Sequence, residues 1–293
     1  EQLAGIAVES TYNWYWLVDG LMENGFPVKL ANPARIEQYS GLKDANDDTA
    51  AVFLAELSRL GILPTGYIYP KEERPVRDLL RRRMLMVRQR TALILSLQNL
   101  VERHTGQSLG WRALAAQNPE EIAELLGGDE LLQFTARQEM DLIRFQTEKI
   151  RLVESKVLER AELKPEYELL LTMPGVGRIL ALTIMLETGD INRFAAAGNY
   201  SSNCRADRAK RESNGKIKGR NNRKNGNPYL SWAYVEAVHH ALRLCPPART
   251  FYQRKLAKRN GAVATKALAS KWSKAGYYVM KRQEPFDLRR VFG

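Results

Sequence analysis

The sequence has little cysteine and no long apolar run. Its 293 residues include two cysteines, Cys204 and Cys245, whose spacing matches neither a metal site nor a disulfide framework. No apolar stretch approaches the roughly 20 residues that a membrane span needs, and the first thirty residues lack a signal-peptide pattern. These absences argue against a disulfide-stapled secreted protein and a membrane-spanning one, and they favour the reducing cytoplasm.

Acidic residues are scarce in most of the chain. The net charge is +12, but residues 1–80 hold 7 Lys/Arg against 12 Asp/Glu, whereas residues 81–293 hold 38 against 21. A basic excess of this size indicates a polyanionic partner, because neutralising phosphates releases counterions and drives binding. The sequence therefore favours a nucleic acid, with a solubilising surface or a ribosome-type association as the alternative.

The N-terminal part alternates between strand-like and helix-like patterns. An apolar run at 3–8 predicts a buried strand, the aromatic run that closes at Gly25 predicts a helix, and 27–31 predicts a second strand. A further helix is predicted over 49–60 from the spacing of its apolar residues. Strand–helix–strand–helix order predicts an α/β domain with a mostly parallel sheet over residues 1–70.

The rest of the chain reads as mainly helical. Apolar residues recur every three or four positions in 72–104 and again in about 131–163, which predicts an antiparallel helical hairpin or coiled-coil arm over 71–163. A separate, mainly helical domain is predicted over 164–293, including a helix at 229–244.

A Pro-Gly-x-Gly turn precedes one of these helices. Pro174, Gly175 and Gly177 lead into an apolar helix that begins near Arg178. This pattern is typical of a helix–hairpin–helix motif, in which glycines permit unusual backbone angles and exposed amides hold a DNA phosphate. Gly175, Gly177 and Arg178 are therefore predicted to bind nucleic acid. The alternative is an ordinary tight turn between packed helices.

The most one-sided charge lies in residues 205–224, which carry nine basic residues against two acidic ones. Such a segment usually binds a polyanion, and the alternative is a solvated charged loop. Ser213 lies within it, and a serine hydroxyl attacks phosphorus when its proton is removed and cations stabilise the phosphate. Taken alone, Ser213 is better explained as an ordinary loop serine. The basic residues predicted to bind nucleic acid here are Arg211, Lys216, Lys218, Arg220, Arg223 and Lys224.

Carboxylates follow the first strand and precede the helix at 49–60. They are Glu9, Asp44, Asp47 and Asp48. Carboxylates at strand ends and helix starts can converge on Mg²⁺, which works on phosphoryl groups. Taken alone, the stronger interpretation is that Asp47 or Asp48 caps the helix that begins near Thr49.

Ordered motifs run along essentially the whole chain. They are Val8–Asp19 (VESTYNWYWLVD), Leu30–Pro33 (LANP), Gly61–Pro64 (GILP), Tyr67–Pro70 (YIYP), Arg74–Leu80 (RPVRDLL), Met173–Gly177 (MPGVG), Arg211–Lys216 (RESNGK), Asn222–Asn227 (NRKNGN) and Gln283–Asp287 (QEPFD). With these motifs the sequence resembles the DEDD-type insertion-sequence transposases, which are bridge-RNA-guided serine recombinases related to Piv invertases.

The resemblance implies a RuvC-like, RNase H-type N-terminal domain with four acidic metal ligands, a coiled-coil insertion, and a C-terminal transposase domain that bears a serine and the helix–hairpin–helix-like turn. Glu9 falls on the second acidic position, and the first would precede Glu1, so an N-terminal truncation is expected. Aligning on Phe53–Glu56 places the third acid at Asp47 and the fourth at Ala50. A register shift of three would instead pair Asp44 with Asp47.

The resemblance also implies a mechanism and partners. Ser213, on the family's serine, would attack a backbone phosphate, while Glu9 and Asp47 would hold Mg²⁺ beside it in a site assembled between subunits. The partners would be the insertion-sequence ends, target DNA, a guide RNA and further copies of the chain, a dimer or tetramer. Because two ligands are unmatched, a catalytically decayed transposase that only binds nucleic acid is the rival interpretation. A third interpretation, a helix–hairpin–helix repair nuclease or glycosylase, is supported by the Pro-Gly-x-Gly turn alone.

Overall fold

The computed structural model describes residues 3–11, 13–36, 46–161, 164–207, 210–213, 216–220 and 225–292, with the stretches 210–213 and 216–220 described through their backbone. The strands are β1 Ile6–Glu9, β2 Val28–Ala31, β3 Lys210–Ser213 and β4 Lys216–Arg220. The helices are α1 Trp14–Glu23, α2 Asp47–Arg59, α3 Arg74–Thr105, α4 Trp111–Ala116, α5 Pro119–Leu125, α6 Glu130–Arg160, α7 Pro165–Leu171, α8 Arg178–Thr188, α9 Ala197–Asn203, α10 Pro228–Leu244, α11 Pro246–Leu256, α12 Gly261–Arg282 and α13 Leu288–Phe292.

The chain forms two compact units. One combines Glu1–Arg74 with Pro165–Gly293, and the other is Pro75–Lys164. The predicted boundaries at residues 70 and 163 lie close to these limits. The division of the first unit into two independent domains stays a prediction. No helix among the described residues is long and apolar enough to cross a membrane.

The N-terminal layer of the first unit is a β–α–β arrangement. β1 and β2 pair in parallel, with Ile6 opposite Val28 and Glu9 opposite Ala31, and α1 supplies the crossover that parallel strands require. Leu54 of α2 belongs to the same apolar cluster as Ala31. The RNase H-like fold expected for this region stays a prediction.

The C-terminal helices of the first unit surround a core of large aromatic side chains. Tyr200, Tyr234 and Trp272 have no exposed surface. Burying a tyrosine requires a partner for its hydroxyl, and Tyr200 meets this by bonding to Thr188 at 2.8 Å and to Tyr234 at 3.0 Å. This core holds α8, α9, α10 and α12 in fixed positions.

The segment that follows the N-terminal layer is bound to these helices. The hydroxyl of Tyr69 donates to the main-chain carbonyl of Leu186 in α8. The guanidinium of Arg193 lies 4.6 Å from the centroid of the Tyr67 ring, and its Nε donates to the carbonyl of Thr188. These contacts explain why residues 1–74 and 165–293 form one unit.

The second unit is a pair of long helices capped by two short ones. Arg83 of α3 bonds to Glu154 of α6 at 2.8 Å, and Ser96 bonds to Glu139 at 2.7 Å. Because the partner number falls as the number in α3 rises, the two helices lie antiparallel. The short helices α4 and α5 lie between them in the chain and contribute Leu114 and Ile122, respectively, to the same apolar core.

Candidate functional site

The basic segment forms an antiparallel β-hairpin of β3 and β4. Ser213 is the last residue of β3 and pairs with Lys216, the first residue of β4. The two residues between them are Asn-Gly in the sequence, which is a strong short-range signal for a hairpin. Arg211, Lys218 and Arg220 lie on the same two strands, whereas Arg223 and Lys224 lie outside the described residues.

The two ends of the hairpin segment are joined at its root. The amide of Asn227 donates to the carbonyl of Asn203 at 2.6 Å, and Arg205 Nε donates to the carbonyl of Asn225 at 3.0 Å. Gly226 has a φ of +84°, and a Cβ there would lie 2.6 Å from the Asn203 oxygen. Glycine is therefore required for this close approach.

Asn227 connects this root to two helices. Its Oδ1 accepts from the amides of Tyr229 and Leu230 at 2.8 and 3.2 Å, which caps α10. Its Nδ2 donates to Oε2 of Glu187 in α8 at 2.6 Å, and Glu187 is buried. The Asn227 side chain therefore attaches the C-terminal end of the hairpin segment to both α8 and α10. Sequence reasoning missed this role, although Asn followed by Pro at a helix start was its signal.

Asp207 ties the other end of the hairpin segment to α12. Its Oδ1 accepts from the hydroxyl of Ser270 at 2.5 Å and lies 3.4 Å from Nζ of Lys274. The two ends of the serine-bearing hairpin are therefore fixed on different helices of one packed core.

The Pro-Gly-x-Gly turn joins α7 to α8, and its two glycines have different surroundings. Gly175 has a φ of +84°, and a Cβ there would lie 2.2 Å from the carbonyl oxygen of Ala237 in α10. Close packing against α10 therefore accounts for this glycine. Gly177 and Arg178 are exposed at the start of α8, where amides and a guanidinium are open to an anion. Nucleic-acid binding by all three stays a prediction.

Glu9 and Asp47 line one cavity of about 860 Å³ in the N-terminal layer. Glu9 ends β1 and Asp47 begins α2. Ala50, at the fourth acidic position of the resemblance, lines the same cavity. Asp44 lies outside the described residues. Among the described residues, no cluster of three or more His, Cys, Asp or Glu side chains is placed to hold a metal.

Neither Asp47 nor Asp48 caps α2, contrary to the alternative considered for them. Asn46 is the cap: its Oδ1 accepts from the amide of Thr49 at 2.8 Å, and the Thr49 hydroxyl oxygen accepts from the Asn46 amide at 3.1 Å. This reciprocal capping box leaves both carboxylates in the first turn, where the helix dipole stabilises them.

The buried polar groups of the helical core are structural. Burial raises the pKa of the Cys204 thiol well above its usual range and likewise raises the pKa of the Tyr200 hydroxyl. Both groups therefore stay protonated near neutral pH. A thiolate is the reactive form of cysteine, so Cys204 is not poised for nucleophilic chemistry.

Comparison with known proteins places the hairpin inside a recognised region. The family model described as "Transposase IS116/IS110/IS902 family" matches residues 167–253. The "Transposase for insertion sequence element IS1111A" from Coxiella burnetii (strain RSA 493 / Nine Mile phase I) is 26% identical over 198 residues, 65% of this chain and 52% of that protein. The chain thus spans about half the length of this curated relative. The segment from α7 into α11 is similar to a transposase domain.

Proposed function

We propose that this chain acts in transposition, cleaving and rejoining DNA strands at the ends of an insertion sequence. The observation that carries the proposal is the match over residues 167–253, which contains the serine-bearing hairpin and its root. The strongly basic hairpin supplies the charge that a DNA phosphate needs.

In the proposed reaction Ser213 is the nucleophile. Its oxygen attacks a backbone phosphorus, the bond from phosphorus to the 3′ oxygen breaks, and the released 3′ hydroxyl takes up the proton that serine loses. The product is a phosphodiester between Ser213 and the 5′ end. Attack by the 3′ hydroxyl of another strand reverses these bond changes and frees the serine. The number of phosphodiester bonds is constant, so no external energy source is needed. The strand polarity follows from the family resemblance.

The other residues of the hairpin would hold the reacting phosphate. Arg211 and Lys216 flank Ser213 along the hairpin, and Lys218 and Arg220 continue along β4. Cations beside a phosphate stabilise the negative charge that grows on its oxygens in the transition state. The anchored root supports this role, because catalytic groups act only when they are held in position.

Glu9 and Asp47 are the residues that would hold Mg²⁺. They lie on the wall of one cavity, and Mg²⁺ is commonly bound by one or two carboxylates together with water and substrate phosphates. When bound, Mg²⁺ would neutralise phosphate charge and polarise a phosphoryl oxygen. A RuvC-like fold for this layer, a guide RNA, homo-oligomerisation and a cytoplasmic location complete the proposal, and the family resemblance supports them.

A second candidate function is nucleic-acid binding without catalysis, as in a decayed transposase. Its support is the lack of a cluster of three or more metal-binding side chains among the described residues. The two candidates differ in whether Ser213 performs chemistry.

The experiment is a strand-cleavage assay on the protein expressed from its complete reading frame, with donor and target duplexes and Mg²⁺. We expect Ser213→Ala to abolish cleavage and to change duplex affinity by less than about twofold. Ser202→Ala, an exposed serine of α9 near the hairpin root, is the control and should cleave normally. Cleavage by Ser213→Ala would contradict the serine assignment. Binding without cleavage by every version would favour the decayed binder.

A further inference from the structure

A long part of the C-terminal sequence carries no acidic residue. Residues 237–283 contain no Asp or Glu, although the average for the chain would give about five. The same stretch contains eleven basic residues: Arg243, Arg249, Arg254, Lys255, Lys258, Arg259, Lys266, Lys271, Lys274, Lys281 and Arg282. Most of them lie beyond residue 253, where the family match ends.

Four of these cations meet in a groove between α11 and α12. The groove encloses about 500 Å³, and its basic lining residues are Lys255, Lys258, Arg259 and Lys266. Asp207 is the one carboxylate among its described lining residues. Ser270 and Lys274 already bind that carboxylate, so it is not available to neutralise the groove.

The groove cations differ from other basic side chains of the same helices. Lys271 donates to the carbonyl of Val291, and Lys281 donates to Asn192. In the part of the chain that the structure describes, no carboxylate lies within 4 Å of the Lys258, Arg259 or Lys266 side-chain nitrogens. Like charges held close together repel, and an external polyanion relieves that repulsion.

The groove lies at the root of the hairpin. Ala206 and Asp207, which precede β3, line it together with the helices. We propose that this groove binds the phosphate backbone of duplex DNA beside the strand that the hairpin exchanges. The inference rests on the proposed function, which supplies the DNA, and it adds a contact surface whose cations lie beyond the family match.

The chemistry of the groove favours duplex over single-stranded nucleic acid. Proteins that bind single strands stack bases on exposed aromatic rings. The aromatic residue that lines this groove is Phe251, which is half-buried, and Lys255 and Lys271 lie 5.6 and 5.3 Å from its ring centroid. Its ring is therefore occupied by cations, and the groove offers charge without a stacking surface. Such a surface binds backbone phosphates.

The test measures affinity for a fluorescent 30-base-pair duplex DNA across a salt series, using the full chain. The variant is Lys258→Gln, Arg259→Gln and Lys266→Gln together. The control is Arg88→Gln, Arg103→Gln and Arg112→Gln, three exposed residues of Pro75–Lys164 with the same total change in charge. Each lost phosphate contact reduces the slope of log affinity against log salt by about 0.9, so the groove variant should lose up to about 2.7. Its affinity at 0.1 M salt should fall by roughly 10-fold to 500-fold, estimated from the same relation.

Several outcomes would overturn the inference. If the groove variant keeps the wild-type slope, these cations face solvent. If its duplex affinity falls no further than that of the control variant, they act through net charge alone. An equal or larger effect on single-stranded DNA or on double-stranded RNA contradicts duplex DNA as the occupant. If the triple variant unfolds at a lower temperature than the wild type, the test is repeated with the double variant Lys258→Gln, Arg259→Gln, which changes two exposed side chains.

The design also separates this inference from the proposed function. If Lys216→Ala, Lys218→Ala and Arg220→Ala together flatten the slope while the groove variant does not, DNA binding by the hairpin stands and the groove proposal fails. If the wild-type chain binds no duplex at any salt concentration, the inference and the DNA-binding part of the proposed function fail together.

Discussion

The two parts of the first compact unit differ in how completely they are packed. The C-terminal helices bury Tyr200, Tyr234 and Trp272 entirely. In the N-terminal layer Trp16 is 71% exposed, and the cavity of about 860 Å³ lies beside β1. Close packing fixes side chains in one arrangement, whereas an open cavity leaves room for change.

The proposed nucleophile and the proposed metal-binding carboxylates lie in these two differently packed parts. The hairpin that carries Ser213 is attached to the closely packed helices through Asn227 and Asp207. The carboxylates of Glu9 and Asp47 lie on the wall of the open cavity. We therefore expect closely packed positions of the helical part to resist even one added methyl group, and the cavity wall of the N-terminal layer to tolerate a larger addition.

The largest effect is expected for Gly175→Ala. The added Cβ would meet the Ala237 oxygen at 2.2 Å in a backbone conformation with φ +84°. Strain and overpacking each cost about 1–3 kcal/mol, so the free energy of unfolding should fall by about 2–6 kcal/mol. The matched control is Gly177→Ala, two residues away, where a Cβ meets nothing within 4 Å. Urea unfolding of both variants checks this, and similar stabilities would contradict close packing of the turn.

A smaller loss is expected for Asn227→Ala. It removes the α10 cap and the donor to buried Glu187, at a cost of about 1–3 kcal/mol. Asn192→Ala, whose side chain accepts a bond from exposed Lys281, should cost less than about 1 kcal/mol. Thermal unfolding compares the two variants. Equal melting temperatures would mean that the root of the hairpin does not depend on Asn227.

The smallest change in stability is expected for Ala50→Asp. Because Ala50 lines the open cavity, the larger side chain should alter the free energy of unfolding by less than about 1 kcal/mol. It would add a third carboxylate to the wall that carries Glu9 and Asp47, so Mg²⁺ affinity should rise several-fold. Val52→Asp adds the same charge to an exposed position of α2 and is the control. Equal calorimetric titrations with Mg²⁺ for the two variants would rule out a shared metal site.

The sequence predicted local structure better than it predicted long-range contacts. The helix expected over 229–244 is observed at Pro228–Leu244, because apolar spacing and its start signal lie within a few residues of each other. One interpretation of the sequence made Asp47 or Asp48 the cap of α2, whereas the cap is Asn46. Because Asn and Asp cap helices about equally well, residue type alone does not choose among the three positions.

Contacts between distant residues could not be read in this way. Glu187 and Asn227 are 40 positions apart, and Tyr69 bonds to Leu186 across 117 positions. Each pairing depends on how the helices pack, which no local pattern encodes. For the candidate site, Ser213, the basic segment and the acidic residues were proposed from composition and resemblance, and their roles stay predictions. The strand pairing of the hairpin and its anchoring required the structure.

The most direct test of the central claim is to trap the covalent intermediate. The protein expressed from its complete reading frame would be incubated with Mg²⁺ and a nicked duplex whose cleaved fragment diffuses away, so that rejoining is prevented. Mass spectrometry of the protein–DNA adduct then locates the attached residue. We expect a 5′-phosphodiester on Ser213, a free 3′ hydroxyl on the released fragment, and no adduct with Ser213→Ala. An adduct on another residue, or cleavage of the duplex by water in the Ser213→Ala variant, would contradict this expectation.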